Sequence, residues 1–447
     1  MERVIDRKDK LLSQGAININ LYTLMNVLIV AIFFIPDYLG VSFLNVQRLC
    51  LLVIWCLIMR TPKRRQEFLK VIISMRYNVL FIIYLAVLLV TSVVRINPNT
   101  LLNPLFDQIA VFYTALYLFN AGFPVEKFQQ LLVKITYVLC LMGIIEYLTE
   151  FSIFTKFEII KGLTTGEYIR GGSYRIFGPA HHPLGYGLFL ILMLAIICYK
   201  KNSGLNLFNR PFGVALIFIN TLLTGSRSTI GILLLAIALV AVFSTKKREV
   251  LLLSSVIAVM VICLFVLLFH LPPIQSLLSR FSLVIDAVLN TNLASNFNTE
   301  DLLTYKNSEQ YREWLPKILS LAWLNPFLGQ GNGYQFNWYY QGFHIHSIDN
   351  YYINQFIKVA YPGLIVQLVL YFCFMGRMLK TALLKGSQLS LALLISCGCY
   401  FINLYWVDAL GTLDYVFMLF AAAYYLSKPI ERESTSNYEN IGHHGYL

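Results

Sequence analysis

Long apolar runs recur from one end of the chain to the other, separated by polar connections, and this rhythm dominates the sequence. A hydrocarbon layer roughly 30 Å thick takes about 20 apolar residues in helical form. Windows near that length predict twelve helices, over 20–39, 43–59, 77–94, 104–121, 130–148, 183–199, 211–225, 228–244, 250–270, 351–374, 388–405 and 409–427. The run over 104–121 is the least regular, since it contains Pro104 and Asp107. The pattern predicts an all-α polytopic membrane protein, with residues 1–447 forming a single membrane domain.

The polar connections are not equivalent. With the N-terminus in the cytoplasm, the connections on its side collect a majority of the 35 Lys and Arg residues. The positive-inside rule favours that orientation, which puts both termini in the cytoplasm, including a polar tail over 428–447. Two long segments, 149–182 and 271–350, then lie on the outer face. The second is too long for a structureless connection and is expected to fold on the bundle. Within it Tyr311, Trp314, Leu315, Ile318, Leu319, Ala322 and Trp323 follow helical spacing, with Glu309 and Glu313 in the first turn. This large outer loop is therefore expected to contain an amphipathic helix, bent by Pro316 and ended by Asn325–Pro326.

Composition narrows the class further. With 57% hydrophobic and 13% charged residues, the chain has too few charges to solvate a soluble globule of this size. Its net charge of +12 would suggest nucleic acid in a soluble protein. Here the positive-inside rule accounts for the basic residues, so the expected partner is the lipid bilayer and no nucleic acid. The eight cysteines all fall in segments read as membrane-embedded, which indicates neither a disulfide framework nor a zinc site. The polar N-terminal stretch lacks the features of a cleavable signal, so the first apolar run reads as a retained helix.

Arginine is scarce outside the cytoplasmic face, where it occurs at Arg48, Arg95, Arg170, Arg175, Arg227, Arg280 and Arg312. Arg175 lies in a run from Gly171 to Pro179 that precedes a span, Arg227 in the tight turn Thr224-Gly225-Ser226-Arg227-Ser228, and Arg312 in the outer amphipathic helix. A guanidinium flanked by glycine and hydroxyl residues suits a phosphate or pyrophosphate, whereas a lone surface arginine can simply snorkel to lipid headgroups. A second cluster, His344, His346, Asp349 and Asn350, stands directly before the span at 351. Asp349 could act as a base towards a hydroxyl nucleophile, or serve as the N-cap of the helix that follows. His344 and His346 with Asp349 lack a further ligand at matching spacing, so no metal is expected. Lys306, Lys317, His181, His182, Glu167 and Tyr334 read as solvated loop residues. The absence of a Walker loop, a dinucleotide fingerprint and GxSxG argues against a nucleotide-driven reaction, and no cofactor is expected.

Four short pieces, in this order, resemble the Wzy-type O-antigen polymerase and O-antigen ligase superfamily of bacterial membrane glycosyltransferases. They are Arg175-Ile176-Phe177-Gly178-Pro179; Thr224-Gly225-Ser226-Arg227-Ser228; Tyr311-Arg312-Glu313-Trp314 with Asn325-Pro326 and Gly329 to Gly333; and Asp349-Asn350-Tyr351-Tyr352-Ile353 with Tyr361-Pro362-Gly363-Leu364. The resemblance implies a GT-C-like fold in the bacterial cytoplasmic membrane. It also implies a polyprenyl-pyrophosphate-linked oligosaccharide as donor and as acceptor, with a chain-length regulator and a flippase as possible partner proteins. By that resemblance Arg175, Arg227 and Arg312 clamp the diphosphate, and the catalytic base is Asp349, His344 or His346. The ligase branch often carries His-Asn where this chain has Asp349-Asn350, which favours a polymerase of capsule, exopolysaccharide or O-antigen. The competing class is a transporter of lipid-linked or polymerised oligosaccharide, which would be expected to place charges near span midplanes and to show related halves. A scaffold for other envelope enzymes is the third possibility.

Overall fold

The computed structural model describes residues 21–41, 43–158, 168–170, 173–180, 182–252, 254–255, 282, 286, 310–345 and 347–428. Most of the expected span at 250–270 lies outside these residues, as do Glu167, His181, Arg280, Lys306, Glu309 and His346. The apolar runs fold as helices: α1 (Leu21–Phe33), α2 (Val46–Arg60), α3 (Pro62–Ile73), α4 (Asn78–Val94), α5 (Asn99–Pro104), α6 (Val111–Asn120), α7 (Val125–Thr149), α8 (Pro183–Cys198), α9 (Pro211–Leu223), α10 (Arg227–Val242), α11 (Tyr351–Leu384), α12 (Gln388–Asn403) and α13 (Leu413–Ser427). Their starts follow local chemistry. Pro183 and Pro211 occupy first turns, where a missing N–H costs nothing. Asn45, Ser226, Asn350 and Ser387 each accept a capping bond from a backbone N–H of the first turn.

Helix α8 is apolar on every side and almost wholly buried, as a helix without a polar face must be. It packs on α7, α9, α10 and α12, while α13 packs on α6 and α11, and α11 on α4 and α12. Among the described residues, α7 and α11 are each long and apolar enough to cross a membrane; six shorter apolar helices accompany them. Helix α3 was not anticipated, because its basic face keeps it below any hydropathy threshold. It meets α4 at a bend of 89°. The expected run over 104–121 is a composite, in which α5 passes through a π-helical stretch, Leu105–Ala110, into α6. Helix α11 continues to Leu384, well past the expected end at 374, because hydropathy falls before the helix does.

The connections gather at two ends. At the first, Thr245 N–H donates to Leu205 O at 3.0 Å, Lys201 pairs with Glu126 at 2.9 Å, and Lys428 Nζ donates to Asn120 Oδ1 at 2.7 Å. At the second, residues 310–345 and 347–350 lead into α11, and a smaller core forms there in which Leu315, Ile318, Phe336 and Ile345 pack with Ile353, Phe356 and Ile357 of α11. The expected amphipathic helix is shorter than its apolar spacing suggested. Residues 310–314 are α-helical, and Leu315–Ser320 tighten into a 3₁₀ turn that ends at Leu321. Pro316, lacking an N–H, breaks the α-helical ladder, and the three-residue repeat puts Leu315 and Ile318 inward while Leu319 and Trp323 stay exposed.

Beyond this core, hydrogen bonds at a break in α11 fix the segment to the bundle. Within α11, Ala360 adopts φ 54° and ψ −170°, two residues before Pro362. Pro362 has no N–H for Lys358 O, and the Tyr361 N–H turns away to Pro326 O at 3.1 Å, which strips Ile357 O as well. Both freed carbonyls are met by the glycine-rich loop: Gln330 N–H donates to Ile357 O at 2.8 Å, and Gly331 N–H to Lys358 O at 3.0 Å. Gly329 allows that approach, since a Cβ there would sit 2.1 Å from Lys358 O. The loop is held from its other side by Arg95 Nε on Gly329 O at 2.8 Å and by Asn332 N–H on Thr100 Oγ1 at 2.9 Å.

Gly329→Ala is therefore expected to cost about 1–3 kcal/mol, because backbone faces the added methyl and cannot repack as a side chain would. Thermal unfolding of the purified protein in detergent measures this. A melting temperature equal to that of the unaltered protein would mean that the loop does not seal the helix break.

Candidate active site

The second end brings together motifs that are far apart in the chain. Glu146, near the end of α7 and 4% exposed, accepts N–H bonds from Phe177 at 2.9 Å and Gly178 at 3.1 Å, and the Tyr174 hydroxyl at 3.3 Å. This carboxylate pins the strand-like run after the hairpin Ile169–Arg170/Ser173–Tyr174. Arg175 is consequently buried, 8% exposed, with Nε donating to Thr224 O at 2.6 Å. Ile176 N–H donates to Leu223 O at 3.2 Å. Gly225, at φ +62°, leaves room for the guanidinium, since a Cβ there would lie 3.1 Å from Arg175 Nε. The Arg175 and Arg227 motifs thus form one packed unit. Ser226 serves as the α10 cap and accepts the Thr229 hydroxyl at 2.7 Å. Arg227 opens α10 half-buried, where the helix dipole favours an anion.

His182 is no solvated loop residue. It is half-buried at the head of α8, with Nδ1 accepting Leu184 N–H at 3.1 Å and its ring edge-on to Tyr168 at 5.0 Å. Burial first, and the Arg175 charge second, hold its pKa down to about 4.

The cluster before α11 divides its labour. Asn350, not Asp349, caps the helix: its Oδ1 accepts Ile353 N–H at 3.1 Å and its Nδ2 donates to Tyr405 O at 2.8 Å. Asp349 is half-buried and accepts the Ser347 hydroxyl at 3.3 Å. His344 lies in the hairpin Trp338–Tyr340/Phe343–Ile345, exposed, bonded to Asn337 Oδ1 at 2.7 Å and stacked on Tyr339 at 4.5 Å. Arg312 is half-buried next to Tyr311, whose hydroxyl is pushed up by burial and by the Asp349 charge, with Arg312 opposing.

Asp349, His344 and His182 line one open cavity of about 740 Å³, together with Asn354, Lys358 and Asp408. Asn354 Nδ2 donates to Asp408 Oδ2 at 2.8 Å, which ties α11 to the α12–α13 connection. A second cavity of about 700 Å³ adjoins it and shares Lys358, Asp408, Leu410 and Asn332. In its wall Arg48 and Asp107 form a bidentate ion pair, at 2.8 and 2.6 Å. Among the described residues lining the two cavities, Arg175, Arg227 and Arg312 do not figure; Arg175 reaches the first through the charge it exerts on His182. Glu146, Asp408 and the Arg48–Asp107 pair escaped the sequence reading. Asp408, in a short connection between two apolar runs, carried the one usable signal.

Residues 212–372 match the family model described as O-antigen ligase. The match spans the Arg227 turn, the outer segment, Asp349 and the break in α11, and leaves Arg175 and Arg48 outside it. It supports the O-antigen ligase and polymerase superfamily without separating its branches, and agrees with a membrane protein. No curated protein and no solved structure matches the chain.

His182 makes the site sensitive to acid. Because its folded pKa lies below the ordinary value, the unfolded chain binds the extra proton first, and stability falls as pH drops from about 6.5 towards 4. His182→Asn keeps a capping oxygen without the titration. It is expected to flatten the dependence of melting temperature on pH in that window, and an unchanged slope would assign the acid sensitivity elsewhere.

Proposed function

We propose that this protein is a polyprenyl-pyrophosphate-dependent glycosyltransferase of surface polysaccharide assembly, joining lipid-linked oligosaccharide repeat units on the outer face of the bacterial cytoplasmic membrane. In this reading the chain crosses the membrane about twelve times in a GT-C-like arrangement, as one domain with both termini in the cytoplasm. The second end of the bundle then faces outwards. An acceptor hydroxyl attacks the anomeric carbon of the donor sugar; the new C–O bond forms as the bond to the diphosphate breaks, and the lipid pyrophosphate departs. Asp349 takes the hydroxyl proton. Arg175, Arg227 and Arg312 clamp the diphosphate and stabilise its developing charge. A diphosphate is a good leaving group, so one base and an arginine clamp suffice, and no metal is invoked.

The observation that carries the reading is the placement of Asp349. Asn350 takes over the capping role, which leaves the Asp349 carboxylate at the rim of a 740 Å³ cavity. The same cavity is lined by His182, which feels the charge of Arg175 in the packed Arg175 and Arg227 unit. His344 is engaged by Asn337 and Tyr339, which favours Asp349 as the base. An aspartate at this position also favours the polymerase over the ligase. Chain-length regulators and a flippase are the protein partners this role would bring.

Purified protein incubated with a polyprenyl-pyrophosphate-linked repeat unit, without nucleotide, is expected to yield a ladder of polymer. Asp349→Asn and Arg227→Ala should each reduce it about 10²-fold or more with the melting temperature retained. Full polymer from either variant removes that residue from the mechanism. A single transfer onto an acceptor of another kind, with no ladder, identifies a ligase instead.

A further inference from the structure

The 700 Å³ cavity is a polar chamber built around Arg48, and its chemistry differs from that of the arginine unit at Arg175 and Arg227. Its cation is already spent. Arg48 Nε and Nη2 bind the two Asp107 oxygens, Nη2 also donates to Asn103 Oδ1 at 3.0 Å, and Nη1 donates to Phe43 O at 2.9 Å. The remaining charges are Lys358 against Asp37 and Asp408. A chamber with that balance repels a diphosphate or a uronic acid.

Two side chains in its wall ask for a ligand. Gln47 is 4% exposed and Gln108 is 7% exposed, yet Gln47 Nε2 and Gln108 Oε1 are buried without a hydrogen-bond partner. Buried polar atoms are nearly always satisfied, so a donor and an acceptor left open in one wall point to something that binds both. The backbone around them is unusual in a matching way. Gln108 and Asp107 sit in the π-helical stretch Leu105–Ala110, a geometry that recurs at functional sites. Leu410, in the wall common to both cavities, has φ +48°, costly for a residue with a Cβ. Carboxamides at Asn99 and Gln355 extend the polar lining.

We infer that this chamber binds a glycan made of uncharged sugars, whose hydroxyls satisfy Gln47 and Gln108. Resting on the transferase reading, the inference further assigns that glycan to the acceptor: its sugars occupy the Arg48 chamber and reach Asp349 over the shared wall of Lys358 and Asp408. Donor diphosphate and acceptor glycan are then separated by electrostatics, the one drawn to arginines and the other to a carboxamide chamber with excess negative charge.

Full-length protein, labelled with a fluorophore in detergent, is tested on an array of neutral oligosaccharides beside uronic-acid and phosphorylated ones. The expected result is retention on neutral glycans only, weakened about tenfold in Gln47→Leu/Gln108→Leu, with Asp349→Asn binding as the unaltered protein does. The double variant should melt no lower than the parent, since it removes two unpartnered atoms. Preference for acidic glycans, retention on none, or undiminished binding by the double variant would each overturn the inference. Neutral-glycan binding with no polymer formed would leave the chamber standing and refute the transferase. Polymer formed with an unchanged acceptor KM in the double variant would do the reverse.

Discussion

Two bare carbonyls in the middle of a helix govern this molecule. The Ala360–Pro362 break leaves Ile357 O and Lys358 O without their helical donors, and a buried carbonyl left unmet costs about 1–3 kcal/mol. Two amides of a glycine-rich loop some 30 residues upstream fill both vacancies. Because the loop is also bonded to the side chains of Arg95 and Thr100, it ties the break in α11 to the region where α4 passes into α5. Asn354 and Lys358 are consequently fixed in the cavity walls by the same contact that compensates the kink.

From this anchor the polar end separates into two electrostatic territories. On one side Glu146 and Thr224 hold Arg175 in place by bonds to backbone, and a neutral His182 adds no further positive charge. On the other, Arg48 is cancelled by Asp107, and carboxylates outnumber cations. A half-buried ion pair of this kind contributes little net stability, but its two parallel hydrogen bonds fix the guanidinium against the carboxylate, so the pair fixes a geometry. Asp349 and Asp408 stand between the two territories.

Much of the helical frame was legible, because helix starts obey local rules: prolines at 183 and 211 and the Ser226 cap mark them in the sequence. The failures have physical causes. Two capping residues stand side by side at 349 and 350, and sequence preference cannot say which one the chain will use. Apolar spacing beyond Leu315 suggested a longer helix, but Pro316 removed the bond that would have sustained it. Arg48 and Asp107 are 59 residues apart and pair only through tertiary packing. Of the site, the arginine motifs and Asp349 could be picked out one by one, whereas the stacking of Arg175 on the Thr224–Arg227 turn depends on a main-chain bond that no motif encodes.

The wall between the two cavities is a thermodynamic device as well as a partition. It consists of Asn332, of Lys358 from α11, and of Asp408 and Leu410 from a connection, with Asp408 held by a hydrogen bond from Asn354 of α11. Whatever one occupant does to the position or charge of these side chains, the other occupant experiences, and linkage makes the effect equal in both directions. An occupant that engages Asp408 changes the affinity of the neighbouring chamber by the same factor as it is itself affected. If an occupant of one chamber displaces that wall, the other chamber does not fill independently.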